Sequence, residues 1–350
     1  MAKIVGGFAS SHSPMMHTAG DQWGKIADFD SRNNQLVKMP EGHRVTFDEL
    51  LASADPNIAK QVNLETFIEK EADLQRSMDE LEKRFVQTDP DVVVMIGDDQ
   101  GEWFFDDNYP TINLYWGESI RILNRNEYIA DAPVKRRGYL VEERDWPVDT
   151  RLGLFILESL MDQDFDIAQS RYQREAYGGS IGPGTWYLDS QHKTQPRPVG
   201  IPHTFGFPIG RWFGGKTVPI VPISINTCYP PNWISARRAY ALGRAVRNAL
   251  DSLKTDMRIA VATSGGLSHF VVDEELDRIA LSGLTEANGE ILTSLPRHRL
   301  QAATTETLNW VAVAAVMGSP MDLISYQPGY RTPAGTGVGL AVGHWEAKGS

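Results

Sequence analysis

The stretch Asp91-Val92-Val93-Val94-Met95-Ile96-Gly97 constrains the fold of this chain more than any other. An unbroken β-branched and apolar run of this length reads as a strand buried on both faces, as in the centre of a parallel sheet. Such a sheet needs helices over it, and the preceding residues supply one. Ile58, Val62, Phe67, Leu74, Met78, Leu81 and Phe85 recur near helical spacing through a charged stretch, predicting one long helix that ends at Asp89-Pro90.

The same alternation continues along the chain. Lys3 to Phe8 and Met257 to Thr263 read as buried strands, and Gly337 to Gly343 as a closing strand. Thr111 to Trp116 and Phe165 to Ser170 are further strand-like segments. Val218 to Asn226 is another buried strand, whose prolines argue for an edge or a bulge. Helices are expected over Phe47 to Ala52, Leu152 to Met161, after Ser235 (Ala239, Leu242, Val246, Leu250 and Leu253 forming the apolar stripe), from Asp273, and over Thr305 to Met317. Residues 124 to 146 read as a charged surface excursion. Ala176 to Gly200, dense in Gly, Pro, Ser and Gln, reads as a long loop of the kind that is functional or mobile. The expectation is an α/β protein: a single domain over 1–350 with a mixed, largely parallel central sheet flanked by helices.

Composition removes several classes. The net charge of −11 argues against a nucleic-acid surface. No run approaches the roughly 18 apolar residues of a membrane span, and Met1-Ala2-Lys3 leads straight into a strand, so neither a span nor a secretory signal is expected. Cys228 stands alone, which excludes an internal disulfide framework and a cysteine-based zinc site and suits a reducing cytoplasm.

In open α/β sheets the loops beyond the strand C-termini build the ligand crevice, and here they are polar. Ser10-Ser11-His12-Ser13-Pro14 follows the first strand, and Asp98-Asp99-Gln100 follows the central one. Gly265-Gly266-Leu267-Ser268-His269 follows the strand that ends at Thr263, with Asp273-Glu274-Glu275 just beyond. The plain alternatives are a loop histidine held by hydrogen bonds and acidic residues compensating a helix dipole. There is no phosphate loop, no Gly-x-Ser-x-Gly elbow and no His-Glu-x-x-His helix. Single histidines on separate loops plus a carboxylate fit a site with two neutral ligands, one carboxylate and open positions, as in non-haem Fe(II) oxygenases.

Taken in order, Ser10-Ser11-His12-Ser13-Pro14, Gly97-Asp98-Asp99-Gln100 with Phe104-Phe105, Val221-Pro222-Ile223-Ser224-Ile225-Asn226-Thr227 and Gly265-Gly266-Leu267-Ser268-His269 resemble the class III extradiol ring-cleaving dioxygenases, typified by the catalytic subunit of protocatechuate 4,5-dioxygenase. The resemblance covers most of the chain apart from inserts at about 19–75 and 124–146. It implies one catalytic domain that uses Fe(II) and O2 to open a catechol-, gallate- or hydroxypyridone-like ring in the breakdown of aromatic compounds. By the same resemblance His12 matches the first iron-binding histidine, Glu274 (or Glu275) the iron carboxylate, and His203 the acid–base histidine. The chain departs from the family at Gln100, where the second iron-binding histidine belongs. Fe(II) would then be held by His12, Gln100 and Glu274, or with Asp98 or Asp99 in place of Gln100. This loop looks like the branch containing 3-O-methylgallate dioxygenases. Trp103 and Phe205, with Phe104 and Phe207, would wall the ring. His269 would stand beside the substrate or behind the ligands, and His17, His43, His192, His298 and His344 would pack or lie on the surface. The implied partners are a small aromatic substrate, O2 and further copies of the chain. Two other readings stay open: a metal-dependent hydrolase or decarboxylase on the same scaffold, and a non-catalytic binding protein that lost its iron, which Gln100 favours.

Overall fold

In the computed structural model, which describes residues 2–104, 108–123, 143–173 and 200–347, the strands follow one another as β1 (Lys3–Ser10), the short ladder β2 (Val37–Lys38) and β3 (His43–Arg44), β4 (Val92–Asp98), β5 (Ile112–Tyr115), a second ladder β6 (Ser119–Ile122) and β7 (Arg144–Pro147), β8 (Ala168–Ser170), β9 (Ile220–Ile225), β10 (Arg258–Ser264), β11 (His269–Val271), β12 (Asp322–Tyr330) and β13 (Thr336–Glu346). The main sheet has the order β11-β13-β1-β10-β4-β9-β5-β8, with β12 paired to β13. Its centre, β1, β10, β4 and β9, is parallel. The C-terminal ends of these four strands therefore open on one edge, which is where the site forms.

Every residue of β4 is buried, because both faces of the sheet are covered. Val92, Val94 and Ile96 point into one apolar cluster with the helices Thr150–Met161, Ala236–Ser252, Glu274–Thr285 and Thr307–Met317. Val93 and Met95 point into the other, beneath the helix Leu64–Thr88 and the helix His203–Arg211. The Thr307–Met317 helix is buried all round. It lies so close to the Ala236–Ser252 helix that a Cβ on Gly243 would come within 2.0 Å of the Ala312 carbonyl oxygen. Among the described residues no helix is long and apolar enough to cross a membrane.

Two expectations are corrected. Strand β9 is neither edge nor bulge: it lies between β4 and β5. Its pairing with β5 begins only at Ile223, so Pro222 falls before that ladder and its missing N–H removes no bond there. The long helix is also shorter than its apolar spacing implied. Ile58 sits on a separate helix, Pro56–Gln61, and Asn63 caps the helix Leu64–Thr88 by accepting from the Thr66 N–H. A helix without a clear sequence signal, His203–Arg211, follows Pro202, its pattern disguised by Gly206 and Pro208. Residues 124–142 of the expected excursion and 174–199 of the expected loop, with His192, lie outside the described residues.

Candidate active site

Four loops at the C-terminal edge of the sheet bring His12, His203, His269 and Glu306 together. His12 follows β1, His203 opens its helix directly after Pro202, and His269 opens β11. Glu306 ends the 3-10 turn Ala302–Glu306, immediately before the buried Thr307–Met317 helix. His12 Nε2 lies 3.3 Å from Glu306 Oε2 and 3.1 Å from His203 Nε2. His269 Nε2 lies 3.8 Å from the same Glu306 oxygen.

The surroundings fix the tautomer of each ring. The Ser264 hydroxyl donates to the Thr204 carbonyl at 2.6 Å, so its oxygen accepts from His12 Nδ1–H at 2.8 Å. His203 Nδ1–H donates to Glu102 at 2.8 Å. His269 Nδ1–H donates to the Leu267 carbonyl at 3.0 Å. In each case Nδ1 carries a hydrogen, so in the neutral ring Nε2 is a lone pair. Three such nitrogens and a carboxylate oxygen thus share one small space.

Glu306 is held as firmly. Gly266 N–H donates to Oε2 at 2.6 Å and Gln100 Nε2 donates to Oε1 at 2.6 Å. Gly266 must be glycine, since a Cβ there would lie 1.9 Å from the His269 ring. Burial alone would raise the Glu306 pKa, but the His269, His12 and His203 rings bring it down to about 2. For His12, burial works against the charged ring, yet Glu306, with Asp98 and Glu102, turns the balance and raises its pKa. His269 goes the other way: burial outweighs Glu306 and lowers its pKa.

Among the described residues no group of three or more His, Cys, Asp or Glu side chains stands in an arrangement that could hold a metal ion as it is. The donor chemistry nevertheless fits a divalent cation. With the rings neutral, His12 and His269 each turn an Nε2 lone pair toward Glu306 Oε2, and each ring has its other nitrogen tied back, as metal-binding histidines do. Ligand atoms sharing one ion through bonds of about 2.1 Å stand about 3 Å apart, close to the His12–Glu306 separation and somewhat inside that of His269. Without a cation, a proton serves between His12 and Glu306, which is the meaning of their opposite pKa shifts.

The expected site residues divide. His12 and His203 are in the cluster. Gln100 reaches it, but through its amide nitrogen. Glu274 is elsewhere, bonded to Tyr330 and Arg278 in the first turn of its helix, and Glu275 pairs with Arg299. Their place is taken by Glu306. Asp99 is occupied by the N–H groups of Glu102, Trp103 and Phe104. Asp98 accepts from Gln100 and Asn309. Trp103 is half-buried, stacked on Tyr115 at 5.5 Å and tilted against Phe205 at 5.9 Å. Phe205 itself is fully buried, so it backs Trp103 instead of lining the crevice. His17 packs, with Nε2 on the His12 carbonyl and its ring edge-on to Phe207. Sequence reasoning missed Glu306, which lies in a stretch with no recognisable spacing to a histidine, and assigned no role to Glu102 in the polar loop after the central strand.

The fold and site together are those of an α/β protein with a histidine–carboxylate cluster at the C-terminal edge of its sheet. The chain belongs to the family of the catalytic LigB subunit of aromatic ring-opening dioxygenase, which it matches over residues 62–341. A 57-residue stretch is 40% identical to the gallate dioxygenase of Pseudomonas putida, covering 16% of this chain and 16% of that protein. Among solved structures, the uncharacterized protein JW3007 from Escherichia coli K12 superposes over 97% of this chain and 99% of its own at 12% identity. Its TM-score of 0.46 is too low for the likeness to carry an argument.

Proposed function

We propose that the protein is an Fe(II)-dependent extradiol dioxygenase acting on a catechol- or gallate-like ring in aromatic breakdown, as a homo-oligomer in the cytoplasm. The observation that carries the reading is the convergence of the His12 and His269 Nε2 atoms on Glu306 Oε2, with His203 Nε2 3.1 Å from His12. His12, His269 and Glu306 would hold the metal, two neutral donors and one anion with positions left open. When bound, Fe(II) supplies the Lewis-acid and redox chemistry that joins a dihydroxylated ring to O2.

The remaining work falls to the chain. His203 is the most accessible member of the cluster: its side chain is 14% exposed, against 4% for His12 and 2% for Glu306. Its Nε2 takes the proton from a ring hydroxyl and returns it as the ring opens, a role worth about 10²–10⁴ in rate. Glu102 holds the Nδ1–H and also accepts the His203 backbone N–H at 3.0 Å, so it fixes the ring and stabilises the imidazolium that forms. Trp103 offers an aromatic face beside Glu102, supported by Tyr115 and Phe205.

Anaerobic loading with Fe(II), followed by oxygen-uptake measurement with catechols and gallates, tests the proposal. The expected result is one O2 consumed per ring opened, with a yellow product. Bound iron with no oxygen consumption across the series would overturn it.

A further inference from the structure

Gln100 Nε2 lies 2.6 Å from Glu306 Oε1 and 3.0 Å from Asp98 Oδ2. Both neighbours are carboxylate oxygens, which only accept when ionised, so the atom facing them is the amide nitrogen with its two hydrogens. Asp98 Oδ1 is taken by Asn309 Nδ2 at 2.7 Å, and Glu306 Oε2 by Gly266 N–H at 2.6 Å. Two buried carboxylates thus stand in one wall, joined through a single neutral amide. A planar amide that turns its nitrogen to Glu306 turns its oxygen to the opposite side.

We infer that Gln100 is a positioning residue that clamps Glu306 through its amide nitrogen, and that it is not a ligand. This rests on the metal site proposed above. By occupying Oε1, the clamp sets the rotation of the carboxylate and presents Oε2 to His12 and His269. It also gives each carboxyl group one donor hydrogen. Neither a histidine nor a glutamate can do both: neutral imidazole has one N–H, and a carboxylate has none. Glutamine at this position is therefore fitted to its two neighbours.

The test uses metal-stripped protein titrated with Co(II), whose visible absorption reports the donor set while the titration gives affinity. Wild type, Gln100→Glu, Gln100→Leu and His12→Ala are compared, with thermal melting to confirm folding. A clamp predicts that Gln100→Leu binds about 10–100-fold more weakly, as loss of an orienting partner does, with the absorption bands unchanged. Gln100→Glu, isosteric but with no N–H to give Glu306, should also bind more weakly. Should one variant fail to fold, the other still decides. Tighter Co(II) binding by Gln100→Glu, or altered bands in Gln100→Leu, would overturn the clamp and leave the metal site standing. Co(II) binding by His12→Ala as tight as by wild type would instead overturn the metal site, and the clamp with it.

Discussion

Ser264 Oγ stands 2.8 Å from His12 Nδ1 and passes its own hydrogen to the Thr204 carbonyl 2.6 Å away. One hydroxyl at the end of β10 thereby fixes the protonation pattern of a histidine at the end of β1. Ser264→Ala removes that acceptor. Metal affinity should fall about 10–100-fold, measured by titration of the stripped protein, with unfolding midpoints shifted only modestly.

His203 and Glu102 should act as one unit. His203→Ala is expected to lower kcat by about 10²–10⁴-fold and to leave iron content near that of wild type. Glu102→Gln should lower kcat in the same direction and add little to the His203→Ala loss in the double variant. Iron content and single-turnover rates check both; loss of iron in His203→Ala would make His203 a ligand.

Gly266→Ala places a methyl group where the His269 ring lies, since the added Cβ would stand 1.9 Å from it. The ring has to leave its position, so metal affinity should fall while the far side of the sheet keeps its stability. Metal titration together with thermal melting separates the two effects.

Asp277 is fully buried and accepts from Ser268 N–H, Ser268 Oγ and Tyr326 Oη, each at 2.8 Å. Burial outweighs these donors and pushes its pKa up to about 7. A carboxyl raised above its unfolded value near 3.8 favours folding fully below that value, and this contribution is lost as pH rises toward 7. Denaturant unfolding between pH 4 and 8 should therefore show a fall in stability that Asp277→Asn flattens; an equal fall in both proteins would contradict the assignment.

The sheet was legible because buried strands such as β4 and β10 announce themselves by unbroken apolar runs. Strand β12 was not, since Ser325, Gln327 and Pro328 interrupt any alternation. Within the site, His12 and His203 were legible from the short segments around them. Glu306 was not: 37 positions separate it from His269 in sequence, and only the packing of the Thr307–Met317 helix against the sheet brings it to Gly266 and His12. Glu274 offered the nearer carboxylate in sequence, but the helix it opens directs it to Tyr330.

Glu306 as the metal carboxylate is the central claim, and iron content after anaerobic loading tests it most directly. Glu306→Ala and Glu274→Ala are loaded with Fe(II), desalted without oxygen and assayed for iron per folded chain. Glu306→Ala is expected to retain almost none, and Glu274→Ala as much as wild type. Iron retained by Glu306→Ala and lost from Glu274→Ala would contradict the claim.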